Sequence, residues 1–377
     1  MLSTLNYPDK YPIIYRVRSQ FIILKLPRGE KQAQVAEQEQ SPEAHPAPEP
    51  VVTPPKTPEA VAIEKPAVGM VKPEPVVLPP AKTPEQEIPA IPLEASTQVL
   101  MGMIRQINPG PAVRTVVGMD SDPGDFRLRT DAMKQLTRNL STNDTTALRL
   151  FLNFRFREQD KNAGLRLLEF EGLKNDALTV LLAQDRLPAG LGHQLAGMYR
   201  DSDHSEVWRA YCIQYIPECY QQRWPAVKEP EPEKGQEMAP ERLEMENTCW
   251  EALEDADSTI KGTALLALEC LSGKYDHIDR GRVEEAALSM AVDDACEEPA
   301  RITSMRICGM AGRKEVLPAA RMIAQTGETV PLRMAAIATL GDLGEDEDVE
   351  LLESLAASTD KRVQNIAKAT LARLKNK

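Results

Sequence analysis

Small and apolar side chains toward the C-terminal end of the chain recur three and four positions apart, a spacing typical of helices packed along one face. The pattern also repeats itself. Segments 301–312 and 333–344 align at an offset of 32 residues, with agreement at the small and apolar positions. The same pattern of small and apolar positions occurs in four segments: 261–272, 301–312, 333–344 and 364–374. The chain is therefore predicted to contain a tandem array of related helices.

Turn and capping residues divide each repeat into two helices. In the clearest copy, Pro331 suits a first helical turn, and Gly341 and Gly344 are expected to form the turn after it. Asp346 or Asp348 is then expected to cap the second helix, and Asp360 the helix that follows. A single helical hairpin leaves an apolar face open, so successive hairpins must stack. The expected fold is all-α, a right-handed α-solenoid.

In these repeated residues, segment 255–377 resembles bacterial HEAT repeats of the short type that also occurs in phycobilisome-lyase-like proteins. The resemblance implies a solenoid that presents a long face to a protein partner. It also leaves open a ligand-binding protein or a lyase-like enzyme that uses a pocket between helices. No catalytic motif of such an enzyme is found in this sequence, so no catalytic residue and no cofactor is predicted.

The uneven distribution of proline divides the rest of the chain into parts. Between Pro42 and Pro92, 15 of 51 residues are proline, which is typical of an extended spacer. The expected organisation has five parts: a short basic and apolar segment at 1–30, a disordered Pro-rich linker at 31–119, a helical block with degenerate repeats at 120–224, an acidic Pro-rich loop at 225–242, and the repeat block at 243–377. Segment 1–30 is expected to be a docking element or an upstream extension.

Charge excludes some function classes. The chain has 57 Asp and Glu against 45 Lys and Arg, a formal net charge of -12. This acidity argues against nucleic-acid binding, because phosphates require a concentrated basic surface. No apolar run approaches the roughly 20 residues of a membrane span. Segment 1–30 lacks the order of a signal peptide, which favours the cytoplasm, whereas the Pro-rich linker leaves an envelope location as the alternative.

The residues with metal-binding or nucleophilic chemistry form no familiar site. The six cysteines include no C-x-x-C pair. Cys270 and Cys308 occupy repeat positions that predict core residues, and the spacing of His204, Cys212 and Cys219 fits no common zinc site. Histidines 193, 204 and 277 have polar neighbours and are expected at the surface.

Groups of acidic residues precede several predicted helices, and the favoured interpretation is that they cap those helices. The alternative is that they form a recognition surface for a protein with basic residues. An aromatic stripe with Trp208 and Tyr211 on one helical face is explained first by burial, and second by contact with a partner. The candidate contact residues are Asp342, Glu345, Asp346, Glu347, Asp348, Trp208 and Tyr211. The favoured function is a non-catalytic protein interaction scaffold. The oligomeric state is not predicted.

Overall fold

The computed structural model describes residues 13–17, 20–24, 91–92, 95–120, 124–156, 166–226, 239–327 and 329–375. The predicted linker lies outside these residues as far as position 90, and most of the predicted loop at 225–242 lies outside them between 227 and 238. Within the first segment, β1 (Ile13–Val17) and β2 (Gln20–Leu24) pair as an antiparallel hairpin, with Ile13 opposite Leu24.

Among the described residues, seven helices form the first part of the helical region. They are α1 (Thr97–Ile107), α2 (Pro111–Val116), α3 (Phe126–Met133), α4 (Thr142–Leu152), α5 (Leu167–Leu182), α6 (Leu191–Arg200) and α7 (Glu206–Arg223). The first two lie ahead of residue 120, inside the range assigned to the linker. Helix α1 buries Leu100 and Ile104 and packs against α4, so it belongs to the folded helices. Its core residues follow directly on the Pro-rich tract, and the predicted end of the linker at 119 is therefore wrong.

Eight helices follow in the second part. They are α8 (Pro240–Ala252), α9 (Ser258–Ser272), α10 (Arg280–Val292), α11 (Glu298–Ala311), α12 (Leu317–Thr326), α13 (Val330–Leu343), α14 (Asp348–Ala356) and α15 (Lys361–Leu374). Helices α9, α11, α13 and α15 contain the four repeat segments seen in the sequence. The predicted period is therefore confirmed as a period of helices.

These helices stack in two layers. Helices α7, α9, α11, α13 and α15 contact one another in succession and form one layer, while α8, α10, α12 and α14 pack onto it. Short connections make consecutive helices antiparallel, so successive turns lie at opposite edges of the stack and alternate turns lie at the same edge. The helical region is an all-α solenoid of stacked hairpins, as the sequence predicts.

Small residues bring neighbouring helices of the first layer close together. A Cβ on Gly262 of α9 would lie 3.2 Å from the carbonyl oxygen of Pro299, at the start of α11. A Cβ on Gly341 of α13 would lie 2.9 Å from the Thr370 side chain of α15. Gly341 was expected to form a turn, but α13 continues through it to Leu343. Gly341 instead lets α13 and α15 cross closely, and the turn begins at Gly344.

Most predicted helix starts are confirmed. Pro331 lies in the first turn of α13, and the Asp360 carboxylate caps α15 by accepting a hydrogen bond from the Arg362 amide. The predicted cap of α14 is wrong. That helix begins at Asp348 itself, and the side chain of the N-cap residue Glu347 makes no capping hydrogen bond. The Asp348 carboxylate instead accepts a hydrogen bond from the Glu345 amide at 2.9 Å.

Candidate functional site

The acidic turn between α13 and α14 is tied to neighbouring helices by ion pairs. Asp342, in the last turn of α13, lies between two arginines of the adjacent helices in its layer. Its carboxylate is 2.9 Å from Arg306 Nη1 of α11 and 2.5 Å from Arg373 Nη1 of α15. The carboxylate therefore links three successive repeats, and its charge is already matched within the chain.

The next carboxylates pair with the preceding hairpin. Glu345 lies 2.7 Å from Lys314 Nζ, and Glu347 pairs with Arg321 of α12. Asp348 is buried and accepts a hydrogen bond from Arg321 Nε at 2.6 Å. Burial is the largest influence on the pKa of Asp348 and raises it, but the hydrogen bonds from Arg321 and the Glu345 amide, together with the charge of Arg321, outweigh burial and lower the pKa. These three acidic residues thus hold the turn in place.

Two acidic residues of this turn remain available. Asp346 and Glu350 are exposed, and neither has an ion-pair partner in the described part of the chain. The five carboxylates between 345 and 350 therefore have only two basic partners among the described residues, Lys314 and Arg321. Of the residues predicted to contact a partner here, Asp346 is the one that is both exposed and unpaired.

The two aromatic residues predicted as candidate partner contacts are buried. Trp208 is fully buried and Tyr211 is 7% exposed, both within α7. The Trp208 indole donates to Met198 Sδ of α6 at 3.5 Å. These aromatic residues pack between helices, in agreement with the favoured interpretation of the sequence. Because both side chains are buried, they are not available to contact a partner.

Beneath Trp208 lies a charged cluster that the sequence analysis missed. Lys174 of α5 is completely buried, and its Nζ donates to the carbonyl oxygen of Phe154 at 3.0 Å. The Nζ lies 3.9 Å from the centroid of the Trp208 ring and 3.5 Å from Glu171 Oε2. Ser205, the N-cap of α7, donates to Glu171 Oε1 at 2.7 Å. Burial lowers the pKa of Lys174 to about 8, against the opposing effect of Glu171.

His204 belongs to the same cluster, contrary to the expectation that it lies at the surface. It is 4% exposed, and neither ring nitrogen has a hydrogen-bond partner. Its Nε2 is 3.8 Å from Asp201, whose carboxylate is held by Arg155. Burial lowers the pKa of His204 to about 3, and the charge of Lys174 adds to the effect. The imidazole is therefore neutral at physiological pH.

A lysine, a glutamate and a histidine at close range are the groups of an acid-base site. Here Lys174 and Glu171 are enclosed by α5, α7 and the segment after α4, which leaves neither side chain accessible to a substrate. The two hydrogen bonds join α5 to the segment after α4 and to the start of α7, and the buried ion pair lies within α5.

A second polar cluster lies beside the connection between α9 and α10. Tyr220 of α7 donates to Glu246 of α8, and Arg242 Nε donates to the Tyr220 oxygen at 2.6 Å. His277, from the connection between α9 and α10, is exposed as predicted, and its Nε2 lies 2.8 Å from Glu246 Oε1. These side chains thus link α7, α8 and the connection after α9. His193 is likewise exposed as predicted.

Two predictions on cysteine and metal residues have a structural outcome. Cys308 is buried as expected, but Cys270 is exposed near the end of α9, where it accepts a hydrogen bond from Gln221. The position is small and apolar in the repeat, yet it faces outward. Cys212 and Cys219 are buried in α7, and no group of three or more His, Cys, Asp or Glu in the described ranges is placed to hold a metal ion.

Acidic charge is concentrated in the middle of the solenoid. Residues 239–327 contain 17 Asp and Glu against 10 Lys and Arg, whereas residues 95–156 contain more basic than acidic residues. Within the middle, Glu254 of the α8–α9 turn and Asp293, Glu297 and Glu298 of the α10–α11 turn have no ion-pair partner among the described residues. These four residues are called the acidic edge. They belong to alternate turns and lie at the edge opposite to the Asp346 turn.

Comparison with known proteins agrees with the architecture. The sequence model of HEAT repeats matches residues 284–372, which run from α10 to α15. The C-terminal part of the chain is thus built of HEAT repeats. No curated protein is detectably similar to the chain in sequence. None of the helices in the described residues is long and apolar enough to cross a membrane.

Proposed function

We propose that the chain is a non-catalytic scaffold that binds a basic surface of a protein partner along its acidic edge. The observation that carries the proposal is the difference between the two edges. On one, Glu345, Glu347 and Asp348 are paired with basic residues of the same chain. On the other, Asp255 and Asp294 are paired with Arg209 and Arg301, but the four carboxylates of the acidic edge have no such partners among the described residues. They keep their charge for an external partner.

The stacked hairpins support this role. Each turn of the acidic edge is fixed by a helix cap or an internal bond: Asp257 caps α9, and Asp293 accepts a hydrogen bond from the Ala295 amide at 2.9 Å. The free carboxylates are therefore carried on ordered backbone. A preorganised row of charges binds with less loss of conformational freedom than a flexible acidic segment.

The lyase-like or ligand-binding alternative depends on a pocket between helices. The polar groups that would line one, around Lys174, are enclosed and bonded to one another. For this reason the scaffold is the function that the geometry supports best. In the scaffold, the turn with Asp346 and Glu350 is the second candidate for partner contact.

The test compares two variants of the full chain with the same change of charge. One has Glu297→Lys and Glu298→Lys on the acidic edge, and the matched control has Asp346→Lys and Glu350→Lys. Each pair combines one turn residue with one residue in the first turn of a helix, so their effects on helix stability match. Each variant and the unaltered chain is used to capture partners from the source cell, and the captured protein is then purified and its affinity measured.

A purified partner is expected to bind the control as it binds the unaltered chain, and the acidic-edge variant at least tenfold more weakly. Binding should also weaken with added salt. Loss of binding only in the control would move the interface to the Asp346 turn and overturn the assignment of the acidic edge. A small molecule that co-purifies with all three forms, with no protein retained, would contradict the scaffold itself.

A further inference from the structure

Helices α4 and α6 enclose an arginine that has no carboxylate partner. Arg149 of α4 is 4% exposed, and its Nε donates to Gln194 Oε1 of α6 at 3.0 Å. The amide nitrogen of Gln194 in turn donates to the carbonyl oxygen of Arg149 at 2.7 Å and to Asn153 Oδ1 at 3.1 Å. This network fixes the position of the guanidinium.

The outer half of the guanidinium is left without acceptors. No carboxylate of the described ranges forms an ion pair with Arg149, and its Nη1 and Nη2 donate to no described group. Neither atom is among the fully enclosed polar atoms that lack a partner, so both keep some contact with solvent. Burial lowers the pKa of Arg149 to about 10, and the charge of Glu241 partly opposes this. A buried cation in this state is stabilised by any anion that can reach it.

The guanidinium lies at the N-terminus of a helix. Gly190, the N-cap of α6, has a φ of 70° and no capping side chain, and a Cβ there would lie 3.7 Å from Arg149 Nη2. The amides of Gly192 and His193 in the first turn make no hydrogen bond within the part of the chain that is described. Nearby, Asn153 Nδ2 is buried and has no acceptor. Unpaired helix amides and an arginine are the two components of many oxyanion sites.

We propose that Arg149 and the N-terminus of α6 bind an oxyanion, the carboxylate or phosphate group of a ligand. The site is on different elements from the acidic edge and adds a ligand to the proposed scaffold. Glu241 of α8 opposes binding: its Oε1 lies 3.3 Å from the position of a Cβ on Gly192, outside ion-pair distance of Arg149. Its negative charge weakens the attraction that an anion feels at the site.

Thermal unfolding and isothermal titration of the full chain test the proposal, with inorganic phosphate and sodium acetate as probes and sodium chloride at equal ionic strength as reference. One probe or both should raise the Tm of the unaltered chain above the chloride reference, because a ligand of the folded state stabilises it. Such salts also raise the Tm without binding, by exclusion from the protein surface, so the titration identifies the ligand. Saturable binding of phosphate alone identifies a phosphate site, and saturable binding of acetate alone a carboxylate site.

Two variants decide whether Arg149 is responsible. Arg149→Met should weaken binding at least tenfold, and Glu241→Gln, which removes a half-exposed carboxylate with no ion pair, should tighten it about threefold. If Arg149→Met does not fold, Glu241→Gln still decides the question. The proposal is overturned if neither probe exceeds chloride, if Arg149→Met binds as tightly as the unaltered chain, or if Glu241→Gln leaves the affinity unchanged.

Discussion

Acid should destabilise the fold through His204. The imidazole is buried without a hydrogen bond and has a pKa of about 3 in the folded chain, whereas an unfolded histidine has a pKa of about 6.5. Below pH 6.5 the unfolded chain therefore takes up a proton that the folded chain does not. Because the folded pKa is the lower one, the contribution to stability is present above pH 6.5 and is lost as the pH falls toward 3.

The size of the effect follows from linkage. Each pH unit in this window costs about 1.4 kcal/mol, so lowering the pH from 7 to 4.5 should remove about 2 to 3 kcal/mol through this residue. Carboxylates elsewhere also titrate in this range. Their effect cancels when the chain is compared with His204→Leu, which fills the same enclosed space and has no titratable group.

Urea unfolding of both proteins, followed by circular dichroism at 222 nm from pH 7 to pH 4.5, measures the difference. The variant is expected to lose about 2 to 3 kcal/mol less than the unaltered chain on acidification. If the two curves stay parallel within about 0.5 kcal/mol, His204 titrates in the folded chain as it does in the unfolded one. The enclosure of its ring would then be refuted.

Two further substitutions test the packing. Gly262→Ala should destabilise the chain by about 1 to 3 kcal/mol in urea unfolding, because its Cβ would press on the backbone at the start of α11, whereas Gly172→Ala, which meets nothing within 4 Å, should stabilise it by up to about 1 kcal/mol. Equal effects at the two glycines would contradict the helix crossing. Lys174→Met should cost about 3 kcal/mol or more by leaving Glu171 buried and unpaired, and Glu171→Gln in that background should recover most of the loss. A Lys174→Met chain as stable as the original would show that the ion pair is not buried.

The repeat architecture could be predicted because helix crossing constrains the sequence locally. A helix that packs closely on the next one needs small residues such as Gly262 and Gly341 at the crossing, and the need recurs in every repeat. Helices α1 and α2 were missed for the opposite reason. Their core residues, among them Leu100 and Ile104, follow a proline-rich tract and include no aromatic residue. The spacing of the two residues, with Ser96 as a cap, was the available signal.

The candidate sites were harder to predict because their partners are distant in sequence. The acidic turn was recognised from the sequence, but its ion pairs were not. Arg306, which pairs with Asp342, lies 36 residues earlier in the chain, and such a separation carries no local signal. Lys174 in the middle of a helix has the appearance of a surface residue. It is buried only because Trp208 of α7 covers it, which depends on the fold. The same holds for His204, whose polar neighbours in sequence suggested exposure.

Hydrogen exchange of the full chain, alone and with the captured partner bound, tests the scaffold most directly. The account predicts that backbone amides of the α8–α9 and α10–α11 turns, at 253–257 and 293–298, become protected on binding, while amides at 344–350 exchange as before. Protection confined to 344–350, or the absence of any change at the two turns of the acidic edge, would contradict the account.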